Sequence, residues 1–300
     1  MIYDCFPFFN ELELLEVRLH ELDRLVDKFV LVEATRTFAG HPKSLHFAEN
    51  RDRFRDFDGK IIHVVVDDMP EGAGPRDHWI RDRFQRNAIG RGLSGCRPDD
   101  VIMVSDIDEI PKASTVQRFV ERMRFSDGFM SSALHAVFNS RPTRFIFHRK
   151  TLRHILRKNN PFVWRLEQYP CWFFLNRRTR DFEWWYGTKI MHYRDFSIAE
   201  EMRHSGYKTV EDGGWHFSFM GDAARITAKI AATAHQEINN PESVEKILKQ
   251  TTLEEVRQEL QKGMIELIPI EELPGFIQTH LERFSPWIID SASLPRHSTA

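Results

Sequence analysis

Three short apolar runs, at residues 29–32, 61–66 and 101–104, are separated by stretches with helical periodicity. Continuous β-branched runs of this length read as strands buried on both faces, and their alternation with helices makes the sheet parallel. The pattern predicts an α/β fold with a mixed, mainly parallel sheet flanked by helices. Leu12, Leu15, Leu19, Leu22 and Val26 supply the apolar stripe of the first helix. Asn10 and Glu13 stand ahead of it at capping-box spacing. A second helix is expected at about 77–91. Ligands of such sheets bind beyond the carboxyl ends of the strands. The three runs end at Glu33, Asp67-Asp68 and Asp106, so the active edge is expected to be negatively charged.

The rest of the chain narrows the class. Its 300 residues, 41% apolar and 29% charged, make an ordinary globular composition that can bury a full core. Lys and Arg number 42 against 44 Asp and Glu, a net charge of -2. A surface that tracks nucleic-acid phosphates would carry a basic excess, so no nucleic-acid partner is expected. Cys5, Cys96 and Cys171 are odd in number and far apart, which suits neither a disulfide framework nor a zinc site. The longest stretch free of Asp, Glu, Lys and Arg is 128–140. A membrane-spanning helix needs about 20 apolar residues, so none is expected. Nor does the N-terminus show a basic-then-apolar leader. We expect a soluble, cytoplasmic protein with reduced thiols.

Beyond residue 111 the character changes. Strands are expected at 129–138 and 144–148, followed by an aromatic-dense stretch over 162–186. Gly213-Gly-Trp-His-Phe-Ser218 reads as a loop leading into a helix at about 222–235. From Pro241 the chain is helical and charged, and 291–300 reads as a loose tail. Together these describe one domain over 1–290 with a helical C-terminal extension.

Two segments could carry chemistry. In Asp106-Ile-Asp108-Glu109, alternation points the two aspartates to the same side at a strand's carboxyl end. Two carboxylates there can hold Mg²⁺ or Mn²⁺, and a metal so placed can bridge nucleotide phosphates; the plainer reading is a solvated acidic turn. In Gly213-Gly-Trp215-His216 the glycines permit close backbone approach to a ligand, and Trp215 and His216 offer a stacking face and an imidazole. The plainer reading is a turn with Trp215 in the core and His216 merely hydrogen-bonded. Lys229, on the following helix, is either a phosphate-binding charge or a solvated one. Of the aromatics over 162–186, core packing accounts for most, and one or two suffice to stack on a sugar. The H-x-E of His235-Gln-Glu237 lacks the P-C-x-x-C of a zinc deaminase. G-x-S-x-G, G-x-x-x-x-G-K-[ST] and a G-x-G-x-x-G after the first run are absent.

Tyr3-Asp-Cys-Phe-Pro-Phe-Phe-Asn-Glu11, Asp27-Lys-Phe-Val-Leu-Val-Glu33, Ser105-Asp-Ile-Asp-Glu-Ile-Pro111 and Gly213-Gly-Trp-His-Phe-Ser218 together resemble glycosyltransferase family 17, in consistent order from about Tyr3 to Glu237. The resemblance implies a GT-A type (Rossmann-like) fold, a UDP-sugar donor, a divalent cation (Mn²⁺ or Mg²⁺) and inversion at the anomeric carbon. It divides the domain into a nucleotide-binding half over about 1–111, an acceptor half over 112–240 and the extension over 241–290. Asp106, Asp108 and, by analogy, His216 take the metal. Glu33, Thr37, Asp82, Arg86, Asp106, Glu109, Trp215 and Lys229 take the nucleotide-sugar, Asp82 and Arg86 through a Trp-x-x-Asp-x-x-x-Arg helix. Animal members carry a membrane anchor ahead of their catalytic part, whereas this chain begins at the first matched block.

The expected activity is therefore an inverting, metal-dependent transfer of N-acetylglucosamine from UDP-GlcNAc to a glycan or lipid-linked saccharide, with peripheral membrane contact left open. A carbohydrate-binding protein without turnover and a metal-dependent phosphohydrolase are the competing classes. Inversion needs a base to deprotonate the acceptor. Asp212, beside the Gly-Gly-Trp-His segment, is the expected base, with Glu237 its rival.

Overall fold

The computed structural model describes residues 1–72, 74, 76–126, 162–181, 183–206 and 208–290. The strands expected at 129–138 and 144–148 and the tail at 291–300 lie outside them. Four strands, β1 (Ile2–Phe8), β2 (Lys28–Ala34), β3 (Ile61–Val66) and β4 (Val101–Val104), form the parallel part of the sheet in the order β3-β2-β1-β4. The central strand, β1, is one that the apolar-run pattern does not predict. Asp4 and Pro7 interrupt its hydrophobicity, yet all seven of its residues are buried.

Alternation along these strands feeds two cores. Ile2, Phe6 and Phe8 pack under Leu15, Leu19 and Leu22 of α1 (Leu12–Leu22). Tyr3, Cys5, Val30 and Val32 face the other way, against Ala88, Ile89 and Leu93 behind α2 (Asp77–Asn87). The second helix thus ends at Asn87 and continues to Leu93 as a tighter 3₁₀ turn. Helix α1 follows Glu11 without a side-chain cap. Glu13 is drawn instead to Arg225, so the capping box at Asn10 does not form.

On the far side of β4 the sheet becomes largely antiparallel, through β8 (Lys189–His192), β6 (Trp164–Trp172), β7 (Arg177–Thr179) and β10 (Ile265–Leu267). The C-terminal extension therefore adds an edge strand as well as helices. A short β5 (Glu109–Pro111) pairs antiparallel with the long β9 (Lys208–Ser218), which also runs parallel beside β6. The segment expected to be a glycine loop is thus strand. Its glycines let backbones approach one another: a Cβ on Gly213 would lie 2.6 Å from the Cβ of Leu166, and one on Gly214, at φ +127°, 2.1 Å from the Ile110 carbonyl oxygen.

The crossover from β1 through β2 and β3 back to β4 leaves a switch point between β1 and β4. Open α/β sheets bind their ligands beyond the carboxyl ends of the strands there. Among the described residues no helix is long and apolar enough to cross a membrane, and Cys5, Cys96 and Cys171 are free thiols.

Candidate active site

Beyond β4 the chain turns sharply through Ser105–Asp108 before entering β5. The carbonyls of Asp106, Ile107 and Asp108 all find donors within the protein. Arg18 of α1 donates from Nη1 to the carbonyls of Asp106 (2.8 Å), Ile107 (3.2 Å) and Glu109 (3.0 Å). The Asp108 carbonyl accepts from the Phe217 N–H at 2.7 Å. Glu109 folds back to accept the Asp106 N–H at 2.8 Å, and its other oxygen accepts the Trp185 indole N–H at 2.7 Å. Burial, reinforced by the negative charge of Asp106, raises the Glu109 carboxyl above its ordinary value.

With its backbone held, the turn presents Asp106 and Asp108 to a cavity of about 340 Å³ at the switch point. Asp106 meets Arg86 of α2 and, at 3.3 Å, Arg203 of α4 (Ala199–Arg203). Burial alone would raise its carboxyl, but the two guanidinium groups outweigh that and hold it well below the usual range. Asp108 accepts from Lys229 of α5 (Ala223–Ala232) at 2.9 Å, and its other oxygen lies 3.9 Å from His216 Nε2. Burial would lower Lys229, yet Asp108 and Glu11 raise it, so it stays charged. His216 stacks on Trp185 at 4.2 Å between centroids. The remaining wall is aromatic, with Phe9, Phe38, Trp79, Trp172 and Phe219. The active edge is therefore of mixed charge, because Arg36, Lys43, Arg86, Arg203 and Lys229 line it beside the carboxylates.

Thr37, Asp82, Arg86, Asp106, Asp108, His216 and Lys229 all line this cavity. Glu33 stands one layer back, fully buried, accepting the Phe47 N–H at 3.0 Å and facing His63 at 3.1 Å and Lys43 at 3.6 Å. Glu109, too, supports the turn rather than lining the cavity. Trp215 departs from its expected place. Alternation along β9 sends His216 and Ser218 to the cavity and Trp215 and Phe217 to the core, where the Trp215 indole donates to the Glu272 carbonyl at 3.1 Å. Neither carboxylate expected as the base lines the cavity. Both oxygens of Asp212 accept from Lys112 at 2.8 Å, and Glu237 is an exposed partner of His235.

Four charged cavity residues, Glu11, Arg36, Lys43 and Arg203, are not among the expected site residues. Lys43 and Arg203 belong to no motif. Lys43 is lowered from the ordinary lysine value, burial outweighing Glu33. Glu11 closes the first family block, but nothing in its neighbours marks it. Its Oε2 accepts the N–H groups of Phe9 (3.2 Å) and Asn10 (3.1 Å), and its Oε1 lies 3.7 Å from Lys229.

As a cation site the cluster fits in part. Asp108 and His216 are separated by a distance that two ligands, each roughly 2.1 Å from one ion, can span. Both Asp106 oxygens face guanidinium groups instead. Among the described residues no three or more His, Cys, Asp or Glu side chains gather as a metal centre.

The parallel strands, the acidic turn and part of the cavity's lining lie in the region that a known family shares. The match is to glycosyltransferase family 17. The family's sequence model covers residues 1–148, which include β1–β4, α2 and the acidic turn. Within this stretch the chain resembles a glycosyltransferase; His216 and Lys229 lie beyond it, although the quoted blocks run on to them. The chain is 39% identical over 108 residues to the human β-1,4-mannosyl-glycoprotein 4-β-N-acetylglucosaminyltransferase, and its rat counterpart matches equally. The mouse counterpart is 38% identical over the same length. The matched stretch is 34% of this chain and 20% of each relative, so the chain spans about a fifth of the length of the curated relatives it matches.

Proposed function

We propose that the chain is an inverting glycosyltransferase of GT-A type, moving N-acetylglucosamine from UDP-GlcNAc to a glycan or lipid-linked saccharide. The observation that carries this reading is the acidic turn at the switch point of the parallel sheet, which faces side-chain cations across an aromatic-lined cavity. A sugar nucleotide has the matching parts: a diphosphate for the cations, and a base and a sugar for the ring faces. The donor sugar is the one the relatives are named for transferring.

Transfer requires the acceptor oxygen to attack the anomeric carbon as the bond to the diphosphate breaks, with the hydroxyl proton passing to a base. Arg203 and Lys229 are placed to meet the negative charge gathering on the diphosphate. Asp108 and His216 would hold Mn²⁺ or Mg²⁺, which supplies further positive charge when bound; such sites commonly use one or two carboxylates plus substrate phosphates. For the base, the cavity carboxylates narrow the choice. Asp82 and Asp106 are tied to guanidinium groups and Asp108 to Lys229. Glu11 keeps one oxygen anchored on backbone N–H groups, and among the described residues its other oxygen has a long contact to Lys229 and no hydrogen bond. We assign it the role expected of Asp212 or Glu237. A cytoplasmic site of action fits a lipid-linked acceptor and remains part of the proposal.

Melting with UDP and UDP-GlcNAc, each with and without Mn²⁺, tests the reading. At a hundredfold excess over Kd, binding adds about 2.7 kcal/mol of stability. The Mn²⁺-dependent part of the shift is expected to vanish in Asp108→Ala. No shift with either nucleotide overturns the reading.

A further inference from the structure

Arg18 is the largest fully buried side chain of the molecule's described core and does not itself line the cavity. It pairs with Asp4 of β1, donating from Nε at 2.7 Å and from Nη2 at 2.6 Å, and both side chains are 0% exposed. Its Nη1 takes three carbonyls of the acidic turn and its Nη2 also reaches the Ser105 hydroxyl. The guanidinium lies over the Phe6 ring, 4.4 Å from its centroid. Every donor of its fork is thereby directed at Asp4 or at the segment carrying Asp106 and Asp108. A buried ion pair is weak evidence for stability, because apolar residues of similar volume often serve as well or better. What apolar residues cannot do is satisfy carbonyls at positions 106, 107 and 109 together, and lysine lacks the planar fork to do so.

We propose that Arg18, oriented by Asp4, is the positioning residue of the site: it fixes the acidic turn in the one conformation that brings Asp106 and Asp108 to the cavity, and the pair is kept for that geometry and not for stability. Asp4 sets the plane of the guanidinium, and the guanidinium sets the carbonyls. The carboxylates of Asp106 and Asp108 then inherit their positions. The inference rests on the cavity being the donor site proposed above, so its test includes a readout that needs no donor.

Two variants decide it. Arg18→Lys keeps the charge beside Asp4 and loses the fork; Asp4→Leu with Arg18→Met replaces the pair by apolar volume. Both are expected to melt within a few degrees of the parent. Hydrogen–deuterium exchange should quicken at least tenfold in the peptide spanning 105–109 while peptides from β2 and β3 keep their protection. UDP should bind at least tenfold more weakly, and turnover should fall more than KM rises. Unchanged exchange at 105–109 in folded variants overturns the proposal, and so does the loss of folding in both, since the pair would then serve stability. If the parent binds no UDP while 105–109 loosens in the variants, the donor reading fails and the positioning role stands.

Discussion

Asp108 and Glu11 approach Lys229 from two sides, at 2.9 Å and 3.7 Å, and the difference sets their chemistry apart. Asp108 is held by a direct charge-assisted hydrogen bond, which already engages one of its oxygens. Glu11 has its charge anchored at Oε2, and its Oε1 accepts no hydrogen bond among the described residues. Replacing it by Gln keeps the shape and removes the basicity. Glu11→Gln is expected to lower turnover by about two to four orders of magnitude, with UDP-GlcNAc binding retained. Asp212→Asn is expected to transfer sugar at close to the parent rate, because its partner Lys112 and its own position lie away from the cavity. Steady-state kinetics beside calorimetric donor binding separates the two, and normal turnover in Glu11→Gln would return the base to the open question it was in the sequence.

The elements show why parts of this site are hidden in the sequence. β2, β3 and β4 are legible because each is built on an apolar run, interrupted in β3 by His63 alone, and with them come the direction of the sheet and the place of Asp106 and Asp108. β1 is hidden because its function requires the charge that spoils the pattern: Asp4 sits in a buried strand to hold Arg18, fourteen residues away. β9 is hidden for another reason. Paired glycines ordinarily mark a turn, and here they mark crowding between β6 and β5. The crowding is testable at Gly214, where any side chain must combine a left-handed φ with contact on the Ile110 carbonyl. Gly214→Ala should destabilise by about 3 kcal/mol and lower the melting midpoint by roughly 5 °C. Because β5 pairs Glu109 with His216 through this crossing, UDP binding should weaken in the same variant. A midpoint unchanged within a degree would mean that the strands have room to part. Lys43 and Arg203, by contrast, reach the cavity from a loop and a five-residue helix, and no periodicity or spacing could have announced them.

At the scale of the whole molecule, the C-terminal third is fastened to α1 by side chains that titrate. Glu13 accepts from Arg225 at 2.7 Å and Glu16 from Arg283 at 2.6 Å, while His20 stacks on Phe276 at 4.1 Å. Burial works against both glutamates, but their arginines outweigh it and hold the carboxyls below the ordinary value. Burial likewise lowers His20, against the pull of Glu16 and Asp23 and with help from His280. The signs follow from linkage. A histidine depressed in the folded state gives stability that is complete above its unfolded value of about 6.5 and declines as pH falls through its folded value. Depressed glutamates give stability that is complete above their unfolded value of about 4.3 and declines below it. The attachment should therefore weaken in two stages on acidification, the first resting on His20 and the second on Glu13 and Glu16. Melting midpoints measured from pH 7.5 to pH 3 are expected to fall modestly between 6.5 and 5 and steeply below about 4.3. His20→Gln should flatten the first stage. Half-molar salt should shrink the second, since these arginine pairs are partly exposed and screened at that ionic strength. A midpoint that rises as pH falls from 6.5 to 5 in the parent, or a first stage that survives in His20→Gln, would show that the contact with Phe276 is not what joins the two ends of the chain.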